Sequence, residues 1–268
     1  MTAQPALDVL PDQVSGGRVF ARTCAAEWTR LWTIKATWWF LAVAAAMMLG
    51  FGTIAGLDAA GNPNQPVGDP AWTASTFTAL PAQFAFLALV LTAVTSDYAT
   101  GGIVPTLQWT PRRTIFFLAR TLVAVVTATI AGALLALGSA LAGFLAARPV
   151  LTLPLDEGID VLATVAFVFA AGTALAAGLG FVLRNTAGAL VSVFLLILLL
   201  PLLLPQFGYQ WLTDVADLLP GSRAVFLLTG EPTDRGMTTT SSVITMLAWA
   251  LGTLLLGWLR LMRDDANR

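Results

Sequence analysis

Six stretches of the chain contain no Asp, Glu, Lys or Arg, and each is 22 to 29 residues long. They are residues 36–57, 70–96, 121–147, 161–183, 185–213 and 236–259. A helix needs about 20 apolar residues to cross the ~30 Å hydrocarbon core of a bilayer, so each stretch is long enough to span a membrane. The pattern predicts an all-α integral membrane protein, with a transmembrane domain of six helices over residues 36–259.

The residues before the first stretch have the pattern of an amphipathic helix. Successive residues lie about 100° apart on a helix, so the apolar side chains of residues 18–35 share one side, with Trp28 among them. Arg18 and Arg22 face the other way. A basic helix with tryptophans on its apolar face lies in the membrane surface, so residues 18–35 are predicted to form an interfacial elbow helix. Residues 1–17 are predicted to be a disordered tail.

Glu27 breaks the apolar side of this helix. An unpaired carboxylate at a membrane interface is costly, so Glu27 is expected to have a cationic partner. Two partners fit the sequence: Arg30, three residues further along the helix, or a more distant pair with Arg112 or Arg113.

The segments between the stretches predict two larger loops. Residues 97–113 contain a glycine pair and then Thr110-Pro111, which predicts a cytoplasmic loop with a new helix after it. Residues 206–242 predict an external loop in which two short apolar pieces dip into the membrane. Residues 184–185 are the only link between the fourth and fifth stretches, which predicts an antiparallel hairpin.

The positions of the basic residues predict the orientation. With six spans, both termini lie on the same side of the membrane. Eleven of the 14 Lys and Arg residues fall on that side. By the positive-inside rule both termini then face the cytoplasm, including a short tail at residues 260–268. The expected location is a bacterial cytoplasmic membrane, which the chain crosses several times.

Composition removes several kinds of chemistry. The chain has no histidine, and Cys24 is its only cysteine, which excludes His-dependent hydrolase triads, His-containing zinc sites and internal disulfides. The only lysine, Lys35, is not part of a Walker A sequence. The charge-free stretches also lack the acid–base pairs of ion-coupled transporters. No catalytic, cofactor or metal residue is predicted, and nucleic acid is not an expected partner.

Small residues indicate where helices approach each other closely. The predicted packing positions are Gly52, Gly56, Gly172, Ala176 and Gly180, and packing within one chain is favoured over a dimer face. Aromatic residues inside the stretches are candidates for an apolar substrate path, although a lipid-facing or core position is the more ordinary interpretation. These candidates are Phe84, Phe86, Phe167, Phe169, Phe194 and Trp249.

Two segments resemble a known family. Glu27-Trp28-Thr29-Arg30-Leu31, just before the first stretch, is similar to the elbow of type-2 permeases of ABC exporters. Asp97-Tyr98, Gly101-Gly102-Ile103 and Thr110-Pro111-Arg112-Arg113 are similar to the first cytoplasmic loop of that family.

The resemblance implies that the chain is a transporter subunit and not an enzyme. It would form a dimer with an identical or related permease and work with two copies of a separate ABC ATPase, which would hold the ATP and Mg²⁺. The coupling residues that the resemblance implies are Glu27, Arg30, Asp97, Gly101, Gly102, Pro111, Arg112 and Arg113. An apolar lining favours export of hydrophobic or amphipathic compounds, such as drugs or lipids.

Two other classes are weighed against a permease. A self-contained channel or a membrane scaffold would need no ATPase, but the hydroxyl residues of the stretches are scattered and do not form the polar stripe of a pore. A lipid-modifying enzyme would need a base or a metal near the interface, and Asp97 alone does not provide one.

Overall fold

The computed structural model describes residues 15–103, 112–230 and 236–263. Nine helices of eight residues or more lie within these ranges. They are α1 (Gly16–Thr33), α2 (Lys35–Gly61), α3 (Trp72–Thr100), α4 (Arg113–Ala146), α5 (Leu155–Leu183), α6 (Thr186–Phe207), α7 (Gln210–Asp217), α8 (Pro220–Thr229) and α9 (Thr239–Arg263). Two-residue strands β1 (Asp69–Pro70) and β2 (Leu151–Thr152) pair in parallel.

Six of the helices are long and apolar enough to cross a membrane: α2, α3, α4, α5, α6 and α9. This agrees with the predicted all-α membrane class. The most buried of them are α3 and α5, which lie at the centre of the bundle, with α2 packed on α3 and α4, and α9 packed on α5. The other helices present many apolar side chains at the surface, as a bilayer requires.

A short break separates α1 from the first long helix. Ser15 caps the start of α1 by accepting a hydrogen bond from the Arg18 amide, and Ile34 has an extended backbone that ends the helix. The Thr37 hydroxyl then donates to the Leu31 carbonyl at 2.7 Å. The helix therefore begins two residues before the predicted 18–35 segment and ends two residues earlier. Residues 1–14 of the predicted tail lie outside the described ranges.

The predicted small residues lie at close contacts between helices of this chain. A side chain at Gly52 or Gly56 would collide with Ser139 or Gly143 of α4. In α5, Gly172 lies against Gln83 of α3, and Gly180 lies against Val94 of α3. Ala176, between these two glycines, is fully buried. These positions let helix backbones approach closely, which is the main source of packing energy between helices in lipid.

Helix α6 continues through Pro201 rather than stopping there. Leu195–Leu199 form a π-helical turn, and the helix ends at Phe207, before Gly208 with its φ of 74°. Because proline has no N–H, Pro201 leaves the Ile197 carbonyl without its usual helical donor. The backbone of Gly221 packs directly against that carbonyl. The segment predicted as an external loop, 206–242, contains α7 and α8.

Candidate functional site

Four charged side chains meet at one end of the bundle, and we call Glu27, Arg30, Asp97 and Arg120 the charge cluster. Arg120 is 2% exposed and binds Glu27 with two hydrogen bonds, from Nε to Oε2 at 3.0 Å and from Nη2 to Oε1 at 2.8 Å. Its guanidinium also lies 4.4 Å from the centre of the Phe116 ring. A paired arrangement of this kind offsets much of the cost of burying either charge alone.

Arg30 connects the same carboxylate to the end of α3. Its Nη1 lies 3.3 Å from Glu27 Oε2, and its Nη2 donates to Asp97 Oδ1 at 2.6 Å. It also donates to the Ala93 carbonyl and the Ser96 hydroxyl. A cation at the carbonyl end of a helix is favourable for the helix dipole. Arg30 therefore attaches α1 to the last turns of α3.

The cluster joins three helices with balanced charge. Arg120 Nη2 also lies 2.8 Å from Asp97 Oδ2, an ion pair without hydrogen-bond geometry. Two arginines thus face two carboxylates. Glu27 and Arg30 come from α1, Asp97 comes from α3, and Arg120 comes from α4. The void beside the cluster measures about 10 Å³. This space is about the size of one water molecule, so the side chains of the cluster fill the region between the three helices.

The only cysteine lies beside the cluster. Burial, and secondly the negative charge of Glu27, raise the pKa of the Cys24 thiol above its ordinary value. A raised pKa lowers the thiolate fraction at neutral pH and makes the thiol less reactive.

The Glu27 carboxylate contacts Arg30, one of its two predicted alternatives, and also has a distant partner that was not predicted. That partner is Arg120 and not Arg112 or Arg113, because Arg120 lies two helical turns inside α4, level with Glu27. The charge-free stretch begins one residue after Arg120, so the sequence pattern groups Arg120 with the basic residues on the cytoplasmic side. The signal was available, since seven residues separate Arg113 from Arg120 and place them on similar sides of one helix.

Pro111 is a predicted coupling residue within residues 104–111, which lie outside the described ranges. The remaining predicted coupling residues lie on either side of this segment. Gly101 ends α3 with a left-handed φ of 73°, a conformation that favours glycine, and Gly102 follows it. Arg112 is exposed at the start of α4. Arg113 donates to the Leu261 carbonyl of α9 at 3.0 Å.

A second set of contacts closes the hairpin between α5 and α6 at the same end. Arg184 has a left-handed φ of 55° at the end of α5, and Asn185 caps α6 by accepting from the Gly188 amide at 2.9 Å. Arg184 and Arg260 donate to carbonyls of each other's helices. These contacts attach α9 to the hairpin beside the charge cluster.

The six aromatic residues predicted for a substrate path take part in several separate contacts. Phe86 and Phe169 are fully buried and pack on each other, with ring centres 5.1 Å apart. Phe84 packs on Phe194, 6.0 Å away, and Phe167 is half-buried. The Trp249 indole donates to the Leu218 carbonyl at 2.8 Å. Phe86 and Phe169 belong to the core of the chain.

Metal chemistry finds no support within the described ranges, where no three Cys, Asp or Glu side chains stand close enough to hold an ion. Comparison with known proteins adds no identification: no protein-family model and no characterised protein matches the chain. The resemblance to ABC permeases therefore depends on the sequence alone, mainly on the two motif segments.

Proposed function

We propose that the chain is the transmembrane permease subunit of an ABC exporter. It pairs with a second permease, identical or related, and is driven by two copies of a separate ATPase that bind ATP and Mg²⁺. The proposed cargo is a hydrophobic or amphipathic compound. The proposed membrane is the bacterial cytoplasmic membrane, with both termini in the cytoplasm, because most basic residues lie at the end of the bundle where α1 and α9 terminate.

The observation that carries this proposal is that the charge cluster links the two helices on either side of the predicted coupling loop. The loop leaves from the end of α3 and returns at the start of α4. Asp97 lies three residues before the end of α3, and Arg120 lies seven residues after the start of α4. Both are bonded to α1. A force on the loop therefore reaches α1, α3 and α4 together.

This connection fits a subunit that is moved by a partner. The cluster holds no substrate-sized space, and its charges are neutralised internally, so it suits mechanical attachment. In the proposed cycle, ATP binding brings the two ATPases together and displaces the loop. The three attached helices then move as a unit and change the side of the membrane to which the transport path opens.

Arg112 provides the sharpest test, because it is exposed beside the loop. The chain is co-expressed with the ABC ATPase encoded nearest to its gene, and both co-purification and ATP hydrolysis in lipid nanodiscs are measured. Arg112→Glu is expected to lower the ATPase activity that depends on this chain by about tenfold or more, as loss of a central interface contact does.

Arg263→Glu is the matched control, since it reverses one exposed charge at the same end of the bundle, on α9. It should leave complex formation and ATP hydrolysis unchanged. Equal activity of Arg112→Glu and wild type would contradict the docking role of the loop. Ion currents from the purified chain alone would contradict the permease proposal and favour a channel, and a chain that neither binds an ATPase nor moves solute would favour a scaffold.

A further inference from the structure

A cleft of about 720 Å³ opens at the opposite end of the bundle from the charge cluster. It lies between α2, α3 and the β1–β2 pair. Its principal lining residues are Phe51, Asp58, Gln65, Asp69, Phe77 and Pro81. The volume is in the range of small-molecule binding sites. We call it the acidic cleft, because Asp58 and Asp69 line it and no Lys or Arg is among its lining residues in the described part of the chain.

The polar and apolar groups of the acidic cleft lie at different depths. Phe51 precedes Asp58 by seven residues of α2, which places it about 10 Å further along the helix. On α3, Phe77 and Pro81 lie similarly beyond the strand residue Asp69. The Phe51 and Phe77 side chains are 50% and 55% exposed. The cleft therefore has its carboxylates near the ends of the helices and half-exposed aromatic rings about 10 Å further along them.

The polar groups of the cleft are mainly acceptors. The Asp69 carboxylate accepts from the Gln65 amide at 2.8 Å, and neither Asp58 nor Asp69 has a cationic partner among the described residues. Pro81 has no N–H, so the Phe77 carbonyl four residues earlier receives no bond from that position. A ligand here meets two carboxylates that have no cationic partner among the described residues.

We propose that the acidic cleft binds a lipophilic monocation, a molecule with one positive centre on a bulky apolar body. The positive centre lies between the Asp58 and Asp69 carboxylates, and the apolar body packs on Phe51 and Phe77. Aromatic faces attract cations and cover apolar surface at the same time. A zwitterionic phospholipid fits less well, because its phosphate would lie beside the carboxylates without a basic side chain to bind it.

Two probes of nearly equal shape and opposite charge test this proposal. Tetraphenylphosphonium and tetraphenylborate are titrated against the full chain in phosphatidylcholine nanodiscs, without any ATPase. After subtraction of the uptake by nanodiscs without protein, wild type is expected to bind the phosphonium cation saturably and more tightly than the borate anion. Asp58→Asn/Asp69→Asn is expected to weaken cation binding about fivefold to tenfold, the effect of losing two solvent-accessible charge contacts.

The matched control is Glu157→Gln/Asp160→Asn, which removes two exposed acids from the same end of the bundle but outside the cleft. It should bind the cation as wild type does. Phe77→Ala is expected to weaken both probes, because it removes apolar contact and no charge. Circular dichroism during detergent unfolding checks that each variant is folded.

Three results would overturn the proposal: no saturable phosphonium binding by wild type, equal phosphonium affinity in wild type and Asp58→Asn/Asp69→Asn, or borate binding as tight as phosphonium binding. Since neither ATP nor a partner protein is present, these results are independent of the ABC permease proposal.

Discussion

Each end of the helix bundle contains a buried arginine, and the two arginines have different kinds of hydrogen-bond partner. Arg120, in the charge cluster, is 2% exposed and faces two carboxylates. Arg223, at the opposite end, is 8% exposed and donates to the Asp217 carbonyl at 2.5 Å and to the Ser241 hydroxyl at 3.1 Å. One arginine is held by full charges from other helices, and the other is held largely by neutral dipoles close in sequence.

This difference indicates what each end is built to do. Contacts between Arg120, Glu27 and Asp97 connect three helices across more than 90 residues of sequence, so they fix how those helices sit together. Arg223 connects α8 with the end of α7 and the start of α9, which are its neighbours along the chain. The first end is held by ionic contacts between helices distant in sequence, and the second by hydrogen bonds between neighbouring segments.

The largest expected effect comes from Arg120→Met. This change leaves the Glu27 carboxylate buried with only Arg30 nearby, which costs about 3–5 kcal/mol of unfolding free energy. The measurement is detergent unfolding followed by circular dichroism. Arg120→Met/Glu27→Gln should recover part of the loss, because it removes the stranded charge. If Arg120→Met were as mild as Arg18→Met on the exposed side of α1, the cluster would not be a stabilising contact.

Arg223→Met is expected to cost less, about 1–3 kcal/mol, because it leaves a carbonyl and a hydroxyl without a donor but no unpaired buried charge. The same unfolding experiment measures it. Ser241→Ala, which removes only the hydroxyl acceptor, is the partial control and should be milder still. A loss larger than that of Arg120→Met would reverse the comparison between the two ends.

Cys24 reports on the charge cluster without perturbing it. Since burial and Glu27 raise the pKa of the thiol, its rate of reaction with iodoacetamide should reach half its maximum at a higher pH than in the SDS-denatured chain. Glu27→Gln should move that midpoint downward, because the second cause is removed. An identical midpoint in the folded and denatured chain would show that the thiol does not sense the cluster.

Asp58→Asn is expected to have the smallest effect. Asp58 has no cationic partner among the described residues, so neutralising it should leave the unfolding free energy within experimental error of wild type. Asp97→Asn, at the other end, is the comparison, and it should clearly lower the unfolding free energy because Asp97 pairs with Arg30 and Arg120. A marked loss in Asp58→Asn would reveal a structural role for the acidic cleft.

The number and type of the long helices follow directly from the sequence, because a bilayer demands about 20 apolar residues per crossing. The helix ends follow less well. Charged residues such as Asp97 and Arg120 lie within long helices, because partners from other helices neutralise them. Pro201 does not end α6, and a π turn at Leu195–Leu199 comes directly before it.

The candidate site was predictable only in part. Glu27 stands out in sequence because it interrupts an apolar face, and a carboxylate there requires a cation. Which cation it meets depends on how α1 and α4 pack, and that information is not local to either segment. The acidic cleft was not predicted at all, since its walls come from α2, α3 and the strand pair, whose contact depends on the folded chain.

The wide turn at Leu195–Leu199 changes the phase of α6. A π turn contains one residue more than the corresponding α-helical turn, so side chains after it are rotated by about 100° relative to an uninterrupted helix. Regular α-helical spacing therefore predicts the wrong residues after Leu199 for the side of α6 that faces lipid before Leu195. A cysteine scan along this helix should show its accessible positions shift by one residue halfway through.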